Sequence, residues 1–463
     1  MQMREFPSIA AACNRRVVAL GTLLLLGLGI RLAVAPWHGY LADLQHFQTW
    51  ALNPGELVKP YEHFEPMPCD YPPLYPCVLK LLRWAHAGLR LPGAMTVPIF
   101  DAFDRQIHWP VLLLLKSPAI VADLVTATLL YLLGTLLKRP GGGLAAAAVY
   151  LFNPAIIYDG AYFGQTDTIL VTLSVGMLLA YLCRKPATLG ALMVVAPLFK
   201  MQAVFVLMVF CFAILVQWRG VWRVRIRRLI AGGGIALLAV IALAALTGNL
   251  AQFWRGYVGL VGKYPIVTVR AFNFWWLVCR PWHKPPFMHD FPKDNMLILG
   301  MISYRTLGFI LFFTAMGVVL WRLWKVRADG YATALALAVG GWAFFNFPTE
   351  MHERYSVPAA GLTCMLVVWG YRWTIHAMLL GTSVMLNIAD VAPCHFPPWP
   401  ALAHAVNWFI WPERQWFWTT FAVLHVLAFA LTLEALWRAA NPKTAGVERV
   451  GFPVEIEQSN HNR

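Results

Sequence analysis

Eight ionisable residues close or interrupt long apolar runs in this 463-residue chain: Asp43, Asp70, Asp159, Asp167, Lys200, His352, Glu353 and Arg354. Their types suit two tasks. A carboxylate at the mouth of a cavity can take a proton from a hydroxyl. A guanidinium and an ammonium can hold a phosphate between them, the first as a bidentate fork and the second as a point charge, which makes Arg354 with Lys200 a candidate anion site. Asp43, in Tyr-Leu-Ala-Asp-Leu-Gln-His-Phe-Gln-Thr-Trp, is the candidate base. Glu56, Glu62, Glu65 and Asp70 are rival carboxylates in the same segment, and capping of an amphipathic helix is the structural alternative for Asp43.

Three further stretches concentrate polar groups. Cys69-Asp70-Tyr71-Pro72-Pro73-Leu74-Tyr75 is a rigid turn, since the prolines fix φ and keep the preceding residue extended. It leads into a helix or presents Asp70 to a ligand. The run from Asn153-Pro154 through Asp159 to Gly164-Gln165-Thr166-Asp167 puts two acids and an amide at the junction of two membrane helices. There Asp167 either caps the second helix or helps to position a substrate. Met351-His352-Glu353-Arg354-Tyr355 lacks a second histidine one helical turn away, so zinc is a poor reading, and a surface Glu353–Arg354 pair is its structural alternative. The eight cysteines show no metal-type spacing, and a disulfide between the one close pair, Cys69 and Cys77, stays open.

Positioning these residues falls to membrane helices. With 59% hydrophobic and only 13% charged residues, the chain cannot be built around soluble cores. Runs such as 17–36, 111–137 and 297–320 can cross about 30 Å of hydrocarbon at 1.5 Å per residue. The net charge of +15 lies in short clusters between these runs instead of one patch, so it marks cytoplasmic ends and not a nucleic-acid surface. No small-residue cleavage site follows the first run, which reads as a retained helix. The clusters Lys138/Arg139, Arg184/Lys185, 219–228, 322–327 and 438–443 fix an all-α polytopic thread of about twelve spans. Expected helices are 17–36, 111–137, 143–160, 165–183, a short hairpin within 186–217, 229–247, 297–320, 331–347, 356–370, 374–390 and 412–437. One transmembrane domain then covers 1–440, with outer loops 37–109 and 248–296 and a polar cytoplasmic tail at 441–463. The first loop carries an amphipathic stretch, 79–91, suited to the membrane surface. The hairpin puts Lys200 in or near the membrane, where a lysine costs about 3 kcal/mol unless a cavity or an anion receives it. All eight ionisable residues fall on the outer side.

In this order the pieces resemble the polyprenyl-phosphate-sugar-dependent glycosyltransferases of the GT-C fold. The likeness is nearest to the dolichyl-phosphate-glucose glucosyltransferases of N-glycan assembly and their bacterial mannosyltransferase-like relatives. It runs over residues 37–358, through Asp43 with Trp50, Asp-Tyr-Pro-Pro-Leu, Gly-Gln-x-Asp, Lys200-x-Gln202 and His-Glu-Arg. Arg270-Ala-Phe-Asn273-Phe-Trp275-Trp276 also resembles a motif of the bacterial group. The resemblance implies Asp43 as general base and Lys200, His352 and Arg354 at the donor phosphate. It places Asp70, Tyr71, Asp159, Gln165, Asp167, Gln202 and Glu353 about the substrates, among membrane lipids. It implies inversion in one displacement, with no cofactor and no metal, and Asp-x-Asp does not occur. His-Glu-Arg stands where the eukaryotic enzymes have His-Glu-Lys, and Ala-Tyr-Phe-Gly-Gln where they have a Gly-His-Phe-Gln-type stretch. Glucose or mannose as donor sugar, and a lipid-linked or envelope glycan as acceptor, are therefore both expected. The site is expected to face the periplasm from a bacterial inner membrane, or else the endoplasmic-reticulum lumen. The rival class is a secondary transporter with Lys200 and Asp167 on its pathway. It would show repeated topology and a midplane polar route, and the sequence has neither.

Overall fold

The computed structural model describes residues 9–37, 39–51, 69–92, 109–218, 222–258, 262–280, 290–393, 400–410 and 415–439. Glu56, Glu62, Glu65, the parts 52–68 and 93–108 of the expected outer loop 37–109, and the tail 441–463 lie outside the described residues.

The chain is an all-α, multi-pass membrane protein. Among the described residues six helices are long and apolar enough to span a bilayer: α1 (Ile9–Val34), α4 (Trp109–Leu136), α10 (Trp222–Leu246), α13 (Tyr304–Lys325), α16 (Arg372–Val391) and α18 (Gln415–Arg438). A seventh is α5 (Pro140–Leu151) with the segment Pro154–Phe163, bent by 51°. The other expected spans of the twelve fall on shorter helices, among them α7 (Asp167–Leu182), α8 (Pro186–Phe199) and α9 (Ala203–Gln217). Around these lie α2 (Leu41–Trp50), α3 (Leu74–Gly88), α6 (Pro154–Ile157), α11 (Gln252–Arg255), α12 (Phe274–Cys279), α14 (Gly330–Asn346), α15 (Val357–Met365) and α17 (Pro400–Ile410).

Two expected helices are revised. The run 143–160 is not continuous, because Pro154 has no N–H and Asn153 caps a new helix by accepting from the Ala155 amide at 3.0 Å. Beyond α6 the chain widens into a π-turn, Tyr158–Phe163, and stops at Gly164 with φ +93°. The amides of Gly164 and Gln165 both donate to the Asp159 carbonyl at 2.9 Å. A Cβ at Gly164 would meet the Leu44 side chain at 2.6 Å, so this left-handed stop lets α2 pack against it. The run 297–320 starts instead as a small hairpin, β2 (Leu297–Ile298) with β3 (Ile302–Ser303), turned by Leu299 and Gly300 at positive φ. α13 begins only where Ser303 caps it by accepting from the Thr306 amide at 3.1 Å.

Close helix contact and paired charge hold the bundle. α8 and α10 touch through Gly190 and Gly232, where an added Cβ would lie 2.0 Å from the carbonyl oxygens of Leu229 and Ala187 respectively. Small residues bring membrane helices close enough to pack and take the place of a hydrophobic driving force. Arg31 of α1 and Asp123 of α4, both fully buried, pair at 2.7 Å. The same guanidinium donates to the carbonyls of Gly27 and Leu151 at 3.0 Å, and the Tyr150 hydroxyl donates to Asp123 at 3.2 Å. Lys116 is spent on the carbonyls of Ala35 and Trp37, just past the end of α1, at 3.0 and 2.7 Å. Removing one member of a buried pair strands the other charge. Arg31→Met or Asp123→Leu alone should therefore destabilise by about 3–5 kcal/mol, while the double replacement recovers most of the loss. Thermal unfolding in detergent reads this, and additive losses would contradict it.

Candidate active site

α2 presents Asp43 from its first turn. Tyr40 occupies the cap position and no side chain caps there, so the capping alternative for Asp43 is set aside. The Gln165 amide nitrogen, delivered by the Gly164 stop, donates to the Asp43 carboxylate. Its oxygen accepts from the Tyr71 hydroxyl at 3.0 Å. Arg354 Nη1 stands 3.6 Å from the same Asp43 oxygen and 3.1 Å from Glu353 Oε1, so one guanidinium lies between two carboxylates. The Glu353–Arg354 pair is thus a buried element of the site and not a surface pair.

Asp167 stands at the first turn of α7, and its partner is Lys200. The ammonium approaches to 2.6 Å, Gln202 donates to the same oxygen at 3.2 Å, and Lys200 also lies 5.6 Å from the centroid of the Tyr71 ring. Lys200 adopts an extended backbone between α8 and α9, the turn of the expected hairpin. Asp159 is fully buried, and neither carboxylate oxygen has a hydrogen-bond partner among the described residues.

Met351–His352 is strand β4, parallel to β1 (Thr268–Val269), with Val269 opposite His352. Glu350, at φ +61°, ties the same two segments by accepting from the amides of Gly262 and Tyr264 at 2.6 and 3.0 Å. Asp294 accepts from Arg305 at 2.7 and 2.8 Å and from Thr349 at 3.0 Å, which fixes the turn from the other side. The Arg270 stretch is held as firmly. Asn387 of α16 donates to the Arg270 carbonyl at 2.8 Å and accepts from the Phe272 amide at 3.0 Å, and Arg270 pairs with Asp390 at 2.6 Å.

These segments enclose two adjoining cavities. The first, about 240 Å³, is the richer in ionisable groups: Asp43, Asp70, Gln165, Lys263, Arg270, His352, Glu353 and Arg354 line it, with Tyr40, Phe47, Trp50 and Tyr71 as aromatic walls. The second, about 300 Å³, is mostly apolar, with Phe309, Phe312, Phe313 and Phe344 along it and Lys200 and Lys263 at its polar side. Asp70, Tyr71, Lys263, Tyr264 and His352 belong to both. Of the residues picked out by sequence, Asp43, Asp70, Tyr71, Gln165, His352, Glu353 and Arg354 meet in the first cavity. Lys200 and Gln202 line the second, Asp167 stands behind them, and Asp159 lines neither. Cys69 and Cys77 are both free thiols. Among the described residues no three His, Cys, Asp or Glu side chains are grouped as metal ligands.

Sequence reasoning missed Lys263 and Tyr264 as wall residues, and the pairing of the wall residue Arg270 with Asp390 behind it.

No family model and no curated protein sequence matches the chain significantly. Among solved structures, ArnT from Cupriavidus metallidurans bound to undecaprenyl phosphate is similar over 92% of this chain and 77% of its own. It has 14% sequence identity and a TM-score of 0.45. The apo oligosaccharyltransferase of Archaeoglobus fulgidus is similar over 91% of this chain and 56% of its own, at 13% identity and a TM-score of 0.39. The chain thus spans just over half the length of the second.

Burial holds the His352 pKa well below the ordinary histidine value of 6.5, and the charges of Arg354, Lys263 and Lys200 push it further the same way. Burial raises the Glu353 pKa, offset in part by Arg354. Below pH 6.5 the unfolded chain binds a proton at position 352 that the folded chain refuses. Stability therefore falls as pH drops from about 6.5 towards the lowered value, by up to about 1.4 kcal/mol per pH unit. Glu353 acts in the opposite sense, so the comparison must isolate the histidine. His352→Gln should lose less stability than the wild type between pH 7 and pH 5 in detergent melts, and equal losses would contradict the assignment.

Proposed function

We propose that the chain is an inverting glycosyltransferase of the GT-C type. It moves a hexose, glucose or mannose, from a polyprenyl-phosphate donor to a hydroxyl of a lipid-linked or envelope glycan. The reaction takes place at the non-cytoplasmic face, the periplasmic one in a bacterial inner membrane. The observation that carries this reading is the pair of adjoining cavities: an aromatic, apolar groove of a size and lining suited to a prenyl chain, and a polar chamber suited to sugars, with cations about the boundary. Pockets of this kind, apolar with a few convergent polar groups, are the usual setting of ligand sites.

In the displacement the acceptor oxygen attacks the anomeric carbon while Asp43 takes its proton. The bond from that carbon to the phosphate oxygen breaks with inversion, and the phosphate leaves with the electron pair. Gln165 and Arg354 orient the Asp43 carboxylate. Lys200, His352 and Arg354 face the charge that builds on the departing phosphate, and donors fixed in advance cost no reorganisation at the moment of reaction. His352 serves as a neutral donor. Tyr71 and Glu353 hold this geometry, while Asp167 and Gln202 support Lys200. Asp159 lies deeper, beneath the substrate-facing layer.

The test is transfer of labelled sugar from synthetic polyprenyl-phosphate glucose and mannose to a lipid extract by purified protein. Asp43→Asn should lower the rate by about 10²–10⁴-fold, the usual worth of a positioned base, with donor binding kept. Full activity in that variant would move the base to another carboxylate, and no transfer from either donor would return the chain to the transporter class.

A further inference from the structure

Lys263 occupies an unusual place: it borders both cavities, its ammonium is paired with Asp70, and it lies 5.3 Å from the centroid of the Tyr264 ring. Its backbone is not free to wander, because Glu350 grips the amides on either side of it, those of Gly262 and Tyr264. The side chain is a quarter exposed and its partner carboxylate somewhat more, so this pair is open to solvent and ligand. The other cations of the site are committed to partners more than four-fifths buried: Lys200 to Asp167, Arg354 to Glu353 and Asp43, and Arg270 to Asp390. Asp70 and Lys263 also come from different outer loops, so their contact spans the boundary between the groove and the chamber.

We propose that Lys263 is a ligand of the donor phosphate and that Asp70 competes with that phosphate for it. In the empty site the Asp70–Lys263 pair closes the boundary between the two cavities. The phosphodiester of the donor, entering at the end of the groove, takes Lys263 from Asp70, and the freed boundary lets the attached sugar reach the chamber. The proposal rests on the donor reading above and adds to it a residue and an exchange. It follows from charge alone that removing the competitor and removing the ligand have opposite effects. An ammonium released from a carboxylate is available to the phosphate at lower cost, and the Asp70 charge no longer repels the incoming anion.

The experiment measures binding of undecaprenyl phosphate to the full chain in nanodiscs, for wild type, Asp70→Asn, Lys263→Gln and the double variant, with undecaprenol and inorganic phosphate as parallel probes. Asp70→Asn should tighten binding of the lipid phosphate by about threefold or more, and Lys263→Gln should weaken it by about tenfold or more, the scale of one charge-assisted hydrogen bond. The double variant should resemble Lys263→Gln, since the competitor has nothing left to compete for. A gain of affinity in Asp70→Asn cannot come from damage to the fold, which separates this outcome from misfolding. If both single variants weaken binding alike, the pair is a structural strap and the proposal is overturned while the donor reading stands. If wild type prefers undecaprenol, or takes inorganic phosphate as readily as the lipid, the donor reading fails and this proposal fails with it.

Discussion

The side-chain amide of Gln165 ties three distant segments together, and the site depends on that tie. Its nitrogen donates to Asp43 at the start of α2, and its oxygen accepts from Tyr71 at the lead-in to α3. An amide can do both because its two ends are a donor and an acceptor fixed in one plane. Gln165 reaches this point only because the membrane helix before it breaks at Asn153-Pro154, widens, and stops at a glycine with positive φ. A continuous helix through this region would carry the amide past the site.

Charge placement follows from the cost of burying it. Inside the helix bundle the buried cations each have a companion suited to the depth: Arg31 with Asp123, Lys116 with carbonyls past the end of α1, Lys200 with Asp167; Asp159, whose carboxylate has no hydrogen-bond partner among the described residues, is the exception. Unpaired charges in such surroundings would be expensive. Towards the cavities the pairs loosen, and at Asp70–Lys263 the partners are partly exposed. The gradient from locked pairs to an exchangeable one is what a site needs if it is to be rigid around the reacting atoms and still admit an anion.

Much of this was legible in the sequence because membranes enforce simple rules. Apolar run length, basic clusters and the lone Lys200 located the long spans and the short hairpin. The pattern could not give the break within 143–160, because hydrophobicity is continuous across it and only the Asn-Pro pair signals a new cap. Nor could it give the hairpin at 297–303, where apolar residues form an exposed turn. Within the site, Asp43, Tyr71, Gln165, Glu353 and Arg354 were each picked out from the sequence, but the contacts that join them were not foreseen. Asp167 read as a cap or a positioning group and is the counter-ion of Lys200, a pairing made across two helices. Lys263 and Asp390 lie far along the chain from the residues they pair with, and no local spacing foretells either contact.

The most direct measurement is a cryo-electron microscopy structure with a non-transferable polyprenyl-phosphate sugar analogue bound. The account predicts the prenyl chain along Phe309, Phe312 and Phe313, the phosphorus at the boundary beside His352 and Lys200, and the anomeric carbon turned towards Asp43. A chain lying outside the groove, or a phosphate on the far side of the membrane from Asp43, would contradict it.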